Sequence, residues 1–281
     1  MKALVLLLLA CAIIGGGDYF TYELFIQPEK LLREEKLLPP EPPPPDPTLP
    51  EYEKAMKVHK SGKLVDARTA LEFFIEHFPE SSKLEEARDL LGEVNTKIMF
   101  SPVPSPEKQL YIVRSGDVLN RVAAKTKSTA ELIMRSNNLT GTMLRIDQKL
   151  WVPPTQFSMT ISRKRNKVVL FRDNKYFKQY PIRSWPAVAA KKAAAGPQPK
   201  LTSRVTERIA WFEGQRVIFT DKGYAEASHW IALSLPSYTL YGEPAPADTK
   251  AQKPPAGIAI APEAAAELAA MLSKNDPVSI E

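Results

Sequence analysis

Four side chains in this sequence are of the types that most often perform nucleophilic or metal chemistry: one cysteine, Cys11, and three histidines, His59, His77 and His229. A thiolate beside an imidazole can attack a carbonyl group, and clusters of such side chains hold transition metals. Cys11, however, lies in an apolar N-terminal run, and the histidines are scattered along the chain. The sequence therefore predicts no metal site, no cofactor and no thiol chemistry beyond the N-terminus.

Serine chemistry is the remaining catalytic alternative. Ser228 and Ser234 stand close to His229 in sequence, but neither lies in the strand, sharp turn and helix that expose a nucleophilic serine. We therefore expect a protein that is not an enzyme, and a residual hydrolase or transferase stays open as an alternative.

One stretch in the middle of the chain alternates between strand and helix patterns. Residues 111–116 are typical of a short strand and turn, after which Asp117 is placed to cap a helix. Apolar residues at helical spacing predict that helix from Leu119 and a second one after Ser128. A loop rich in Asn and Gly then leads to an alternating strand at 149–152. The predicted order is strand, helix, helix, strand.

The same stretch contains a set of residues that indicate a particular family only when they are taken together. They are Tyr111, Val113, Gly116, Asp117 and Leu119 at its start, Ile133 and Asn137 in its middle, and Leu144, Gln148, Leu150, Val152 and Pro153 at its end. With these residues, 111–154 resembles a LysM domain, a βααβ module that binds N-acetylglucosamine-containing glycans. Val118 stands where that family usually has Thr, and Asp147 where it has Gly.

The resemblance implies a shallow groove between the loop after the first strand and the loop before the second. Backbone amides there would satisfy the N-acetyl group and hydroxyls, while apolar side chains would cover the methyl group and ring faces. The predicted glycan-binding residues are Gly116, Asp117, Val118, Leu119, Asn137, Asn138, Leu139, Met143, Leu144 and Ile146. The alternative for Leu144 is a place in the core, which apolar periodicity generally indicates.

The N-terminal residues predict export. Residues 1–26 begin with a lysine and an uninterrupted apolar run, which is typical of a signal or a membrane anchor. The run is shorter than the roughly 20 residues that span a bilayer, although aromatic residues after it suit the membrane interface. We rank an anchor first, then a cleaved signal, then lipidation at Cys11. Residues 27–50, charged and then rich in proline, predict an extended spacer.

Residues 51–100 carry apolar residues at helical spacing. Gly62 falls at the turn between two helical runs, Ala67 and Ala70 suit close helix crossings, and Pro79 ends the second run. This spacing resembles a tetratricopeptide-type repeat. Because such arrays usually need about three units for stability, this single unit and its following helix should pack on a neighbour or a partner.

The last part of the chain, 157–281, follows a proline-broken linker at 101–110 and the LysM-like stretch, and it has mostly β patterns. The segments that carry a family resemblance are the hairpin at 159–182 and the stretches 228–231, 238–242 and 257–263. Together they resemble the catalytic domain of L,D-transpeptidases, which cross-link peptidoglycan with a cysteine nucleophile.

This part of the chain departs from that family at its catalytic positions. Tyr241 stands at the first histidine, Ala256 near the second, Ile258 near the cysteine and Ile260 near the arginine. Since Cys11 is the only cysteine, the resemblance implies a catalytically inactive relative, whose shape could still bind peptidoglycan stems or a protein partner.

Composition agrees with an exported protein of several parts. The chain has 281 residues, 26 prolines and a net charge of +6, which suits an anionic wall polymer or membrane face. Nucleic acid is not predicted as a partner, because no basic motif with interleaved aromatics is present. We predict a multidomain α+β protein of the bacterial envelope, in the periplasm and anchored to the membrane, that binds peptidoglycan without catalysis. The alternative is a scaffold whose helical repeat and inactive domain bind an envelope protein.

Overall fold

The structure, a computed structural model, describes residues 46–186, 199–243 and 256–281. The predicted membrane anchor and most of the predicted spacer lie outside these residues. Within the described part, no helix is both long enough and apolar enough to cross a membrane.

Three helices open the described chain: α1 (Leu49–Lys60), α2 (Leu64–His77) and α3 (Leu84–Met99). The turn between α1 and α2 contains Gly62 at a φ of +76°, a left-handed conformation that glycine adopts without a steric penalty. Helical spacing places Ala67, Leu71 and Phe74 on one buried face of α2, where the Phe74 ring meets the Tyr52 ring edge-on. The predicted helical segment is present.

The βααβ module follows as β1 (Gln109–Ile112), α4 (Leu119–Lys125), α5 (Ala130–Ser136) and β2 (Lys149–Val152). Its two strands are antiparallel, with Tyr111 opposite Leu150. The Thr129 hydroxyl caps α5 by accepting a hydrogen bond from the Leu132 backbone amide. The predicted order of elements is therefore confirmed.

Within the described residues, the remaining strands form one sheet of nine. They are β3 (Phe157–Ser162), β4 (Lys167–Arg172), β5 (Lys175–Ser184), β6 (Leu201–Phe212), β7 (Gln215–Val217), β8 (Ser228–Leu233), β9 (Leu240–Gly242), β10 (Ile258–Ile260) and β11 (Pro277–Ile280). The order is β11-β3-β4-β5-β10-β9-β8-β6-β7, and a further β11–β6 pairing closes it into a barrel. One helix, α6 (Pro262–Met271), buries Leu268 and Met271 in the sheet's core. The predicted α+β fold class is confirmed.

Side-chain hydrogen bonds join the three helices, the βααβ module and the sheet. The Asn95 amide donates to the Phe177 carbonyl at 2.9 Å, tying α3 to β5. The Ser136 hydroxyl donates to the Met99 carbonyl at 2.7 Å, and the Thr129 hydroxyl donates to the Ala270 carbonyl at 3.0 Å. All these groups are buried, so each bond satisfies a polar atom that water cannot reach.

The segment between α3 and β1 is also ordered by a buried contact. The Lys108 ammonium donates to three backbone carbonyls, those of Ile98, Ser101 and Val103. The first of these belongs to the last turn of α3, where carbonyl groups lack helical partners. Lys108 therefore caps the helix and fixes the direction in which the chain enters the βααβ module.

Candidate functional site

The two loops predicted to hold a glycan lie side by side. The Val113 amide donates to the Gln148 carbonyl, and the Asp147 amide donates to the Val113 carbonyl, both at 2.9 Å. These bonds extend the β1–β2 pairing and bring the loop after β1 against the loop before β2. Asp147 has a φ of +65°, which explains how a position that favours glycine can accept this residue: Asp is one of the few side chains that tolerate the left-handed region.

Asp117 stabilises the first loop through hydrogen bonds to neighbouring residues. Its carboxylate accepts hydrogen bonds from the Arg114 amide and from the Tyr111 hydroxyl, both at 2.8 Å. The Arg114 amide contributes most to lowering the pKa of Asp117, and the Tyr111 hydroxyl adds to that effect. The prediction that Asp117 caps α4 is wrong, because Val118 occupies the cap position in an extended conformation and Asp117 turns back into the loop.

Apolar side chains project from both loops into solvent. Val118 is 53% exposed, Met143 89% and Ile146 63%. Gly116, at a φ of +81°, and Asn138, at +52°, are exposed beside them. Exposed apolar groups of this kind could cover the methyl and ring faces of an N-acetylated sugar.

Three predicted contact residues lie deeper. Leu119 is buried in the core of the βααβ module, and Leu139 and Leu144 are partly buried and pack against that core. Their side chains support the loops, and of the three only Leu139 and Leu144 keep exposed edges that a ligand could meet. Their role in glycan contact stays a prediction.

Asn137 has its side chain fully engaged inside the module. Its amide donates to the Ile133 carbonyl at 2.7 Å and to the Trp151 carbonyl at 2.8 Å, and its oxygen accepts from the Trp151 amide at 2.7 Å. The residue therefore joins the end of α5 to β2. Its role in glycan contact also stays a prediction.

Sequence reasoning missed two exposed apolar residues of the module. Leu110 and Ile112 are each about half exposed on the outer face of β1. Side chains alternate between the two faces of a strand, so Leu110 and Ile112 lie on the face opposite Tyr111 and Val113. This alternation could have identified them from the sequence.

Three of the four residues that the transpeptidase resemblance places at or near catalytic positions lie in strands: Tyr241 in β9, and Ile258 and Ile260 in β10. Ile258 and Ile260 are fully buried on β10, which runs parallel to β9 with Tyr241 opposite Ala259. Their aliphatic side chains pack in the core. Of the two serines near His229 in sequence, Ser228 donates its hydroxyl to the Gly242 carbonyl at 3.4 Å, and Ser234 shares a hydrogen bond with the Ser203 hydroxyl at 3.0 Å.

Comparison with known protein families finds a match to one stretch of this chain. The LysM domain family model matches residues 111–153, so the predicted LysM resemblance is confirmed over that stretch. A LysM domain implies binding of peptidoglycan or a related glycan. No curated protein matches the chain.

The predicted similarity to L,D-transpeptidases is also found among solved structures. The enzyme from Stackebrandtia nassauensis is 15% identical, with a TM-score of 0.29, over 45% of this chain and 55% of its own. L,D-transpeptidase 1 from Mycobacterium tuberculosis is 9% identical over 48% of this chain and 67% of its own, at 0.28. The Mycobacterium smegmatis enzyme is 14% identical over 62% and 92%, at 0.29. This chain thus spans about half the length of the first, and scores of this size do not establish a shared activity.

Proposed function

We propose that this protein binds N-acetylglucosamine glycan of peptidoglycan, without catalysis, through the two loops of its LysM module. One observation carries the proposal: the stretch that matches the LysM family folds as βααβ and exposes Val118, Met143 and Ile146 on its two adjacent loops. These residues, with Gly116 and Asn138, form what we call the loop surface.

Binding at such a surface combines two weak effects. Backbone amides of the loops would donate to the carbonyl of the N-acetyl group, and the exposed apolar side chains would cover its methyl group and the sugar ring. A single shallow site of this kind binds weakly. Attachment of the N-terminus to a membrane, as the first 26 residues predict, would hold the site next to the wall and raise its effective concentration.

The absence of catalysis is part of the proposal. The sequence has one cysteine, Cys11, within the predicted export segment, and this argues against a thiol mechanism in the folded domains. Buried Ile258 and Ile260, and a His229 without a serine partner, support the same conclusion.

Sedimentation of the full-length protein with insoluble peptidoglycan tests this function. The double variant Met143→Asp with Ile146→Asp places two charges on the loop surface, where they would be desolvated against sugar. We expect the bound fraction to fall by about tenfold or more. The control is Leu110→Asp with Ile112→Asp, which charges two half-exposed apolar residues on β1 that do not belong to the loop surface. This control should pellet like the parent.

Two results would contradict the proposal. One is a parent that is folded by circular dichroism and yet does not pellet beyond the level seen without peptidoglycan. The other is an equal loss in the loop variant and in the β1 control. Either result would favour the alternative function, in which the protein is a scaffold whose helical region binds an envelope protein.

A further inference from the structure

A cavity of about 400 Å³ lies away from the loop surface, between the LysM module and the barrel. Its walls come from α4 and α5 on one side and from β6, β8 and α6 on the other. The residues between β7 and β8 close a third side. A volume of this size falls at the lower end of the range for small-molecule sites and has room for one sugar ring.

One wall contains a buried polar atom without a partner. His229 is only 3% exposed, and its Nε2 atom makes no hydrogen bond. Its ring packs edge-on against Tyr224, with ring centroids 4.8 Å apart. Burial lowers the pKa of His229, while a hydrogen bond to the Ala227 backbone raises it. Because Nε2 is unpaired, that bond comes from Nδ1, which leaves Nε2 of the neutral ring as an unused acceptor, buried in the part of the cavity wall that His229 forms.

A buried carboxylate stands beside this histidine. Glu131 accepts a hydrogen bond from the Tyr224 hydroxyl at 2.7 Å and pairs with Arg135 at 2.6 Å. A carboxylate offers about four acceptor sites, so these two partners leave capacity for more. Two hydrogen-bond acceptors with unused capacity, the Glu131 carboxylate on α5 and His229 Nε2 on β8, therefore belong to the two sides of the cavity.

Further residues that line the cavity supply hydrogen-bond donors and apolar surface. Arg208 donates one N–H to the Ala269 carbonyl at 2.8 Å and has further N–H groups, since a guanidinium carries five. Asn120 lines the cavity from α4. Phe219 and Ala124 contribute apolar surface, the first of them with a flat aromatic face. Acceptors, donors and a flat apolar face together are complementary to a ring that bears several hydroxyl groups.

We propose that this cavity binds one sugar-sized, polyhydroxylated ring, with a ligand hydroxyl donating to His229 Nε2. A compact anion would lie against the Glu131 carboxylate, which carries charge of the same sign. A purely apolar ligand would leave the buried His229 acceptor unsatisfied. The site is separate from the loop surface, so this proposal does not rest on glycan binding there.

Histidine nuclear magnetic resonance of the full-length protein tests the cavity directly. With nitrogen-15 in histidine only, the chain gives signals from three residues, and His59 and His77 on the helices serve as internal references. N-acetylglucosamine at millimolar concentrations should move the Nε2 signal of His229 and leave the other two unchanged. The dipeptide D-alanyl-D-alanine is the comparison ligand.

Two matched variants separate cavity filling from general disturbance. Ala124→Phe adds a ring at an exposed residue of α4 that lines the cavity, whereas Lys125→Phe adds the same ring at the next position, which does not line it. The first should abolish the His229 shift and the second should keep it. His229→Phe, which retains a ring against Tyr224, should weaken sugar binding about 3–10-fold by calorimetry.

The results of the resonance experiment test the cavity proposal independently of the sedimentation results, which test glycan binding by the loop surface. A His229 signal that does not respond to the sugar, or that responds to the dipeptide instead, overturns the cavity proposal even if the protein pellets with peptidoglycan. An equal loss in Ala124→Phe and Lys125→Phe does the same. A shift that persists in the variant Met143→Asp with Ile146→Asp shows that the cavity acts without the loop surface.

Discussion

Replacing Asn137 by alanine is expected to destabilise the protein by about 2–4 kcal/mol, because three buried or half-buried hydrogen bonds are lost together. The substitution leaves the Ile133 and Trp151 carbonyls and the Trp151 amide without their partner. All three are backbone groups at the junction of α5 with β2, where unsatisfied groups carry the full penalty of desolvation. Urea unfolding followed by tryptophan fluorescence measures the loss.

The matched control for this variant is its neighbour. Asn138 is exposed, at a φ of +52°, and Asn138→Ala removes an amide that makes no comparable contact. That variant should lose well under half as much stability as Asn137→Ala, and most of its loss would come from alanine's poorer fit to the left-handed region. Equal midpoints for parent and Asn137→Ala would show that the three bonds contribute nothing to folding.

This result also bears on how glycan binding is tested. The LysM resemblance implied that Asn137 contacts the ligand, but its side chain links two elements of the module. A loss of binding in Asn137→Ala would mix unfolding with lost contact. Exposed Met143 and Ile146 give the cleaner variants.

Much of the module could be predicted because its signals are local. Apolar spacing of 3.6 marks α4 and α5, and alternation marks β1 and β2. The division of the two loops into exposed and buried residues could not be predicted. It depends on where α4 begins: with Val118 at the cap position, Val118 points to water and Leu119 enters the core.

The cavity could not be predicted from the sequence, for a different reason. It forms only where the module meets the barrel, through contacts such as that between Thr129 and Ala270, which are 141 positions apart. No local pattern carries such a contact. Glu131 and Tyr224 were therefore not predicted as neighbours, and the sequence placed His229 only in the transpeptidase-like stretch 228–231. The three-residue strands β9 and β10 were missed as strands because they are too short to show a period.

Asp276 is a second residue whose role follows only from its surroundings. It lies buried in the turn between α6 and β11, where its carboxylate accepts a hydrogen bond from the Ser273 amide at 2.7 Å. Burial raises the pKa of Asp276 to about 6, against an ordinary value of 3.8, and the bond from Ser273 opposes that rise. The charged carboxylate is thus disfavoured in the folded state.

The sign of the effect on stability follows from proton binding. Between about pH 4 and pH 6 the folded state holds this proton and the unfolded state has released it, so Asp276 makes the free energy of unfolding fall as pH rises. Above pH 6 the full penalty is present, at most about 3 kcal/mol. Asp276→Asn removes the charge and keeps an oxygen that can accept from Ser273. It should therefore stabilise the protein at pH 7.5 and change little at pH 4.

Urea unfolding of parent and variant across this pH range measures the difference, in which the other titrating groups cancel. Asp221 provides the control, because its carboxylate accepts from the Ile218 amide at 2.9 Å in the same i to i−3 arrangement but is exposed to water. Asp221→Asn should stay within about 0.5 kcal/mol of the parent at every pH. A gain from Asp276→Asn that does not change between pH 4 and pH 7.5 would show that relief of a buried charge is not its cause, since only a titrating group can make the gain disappear in acid.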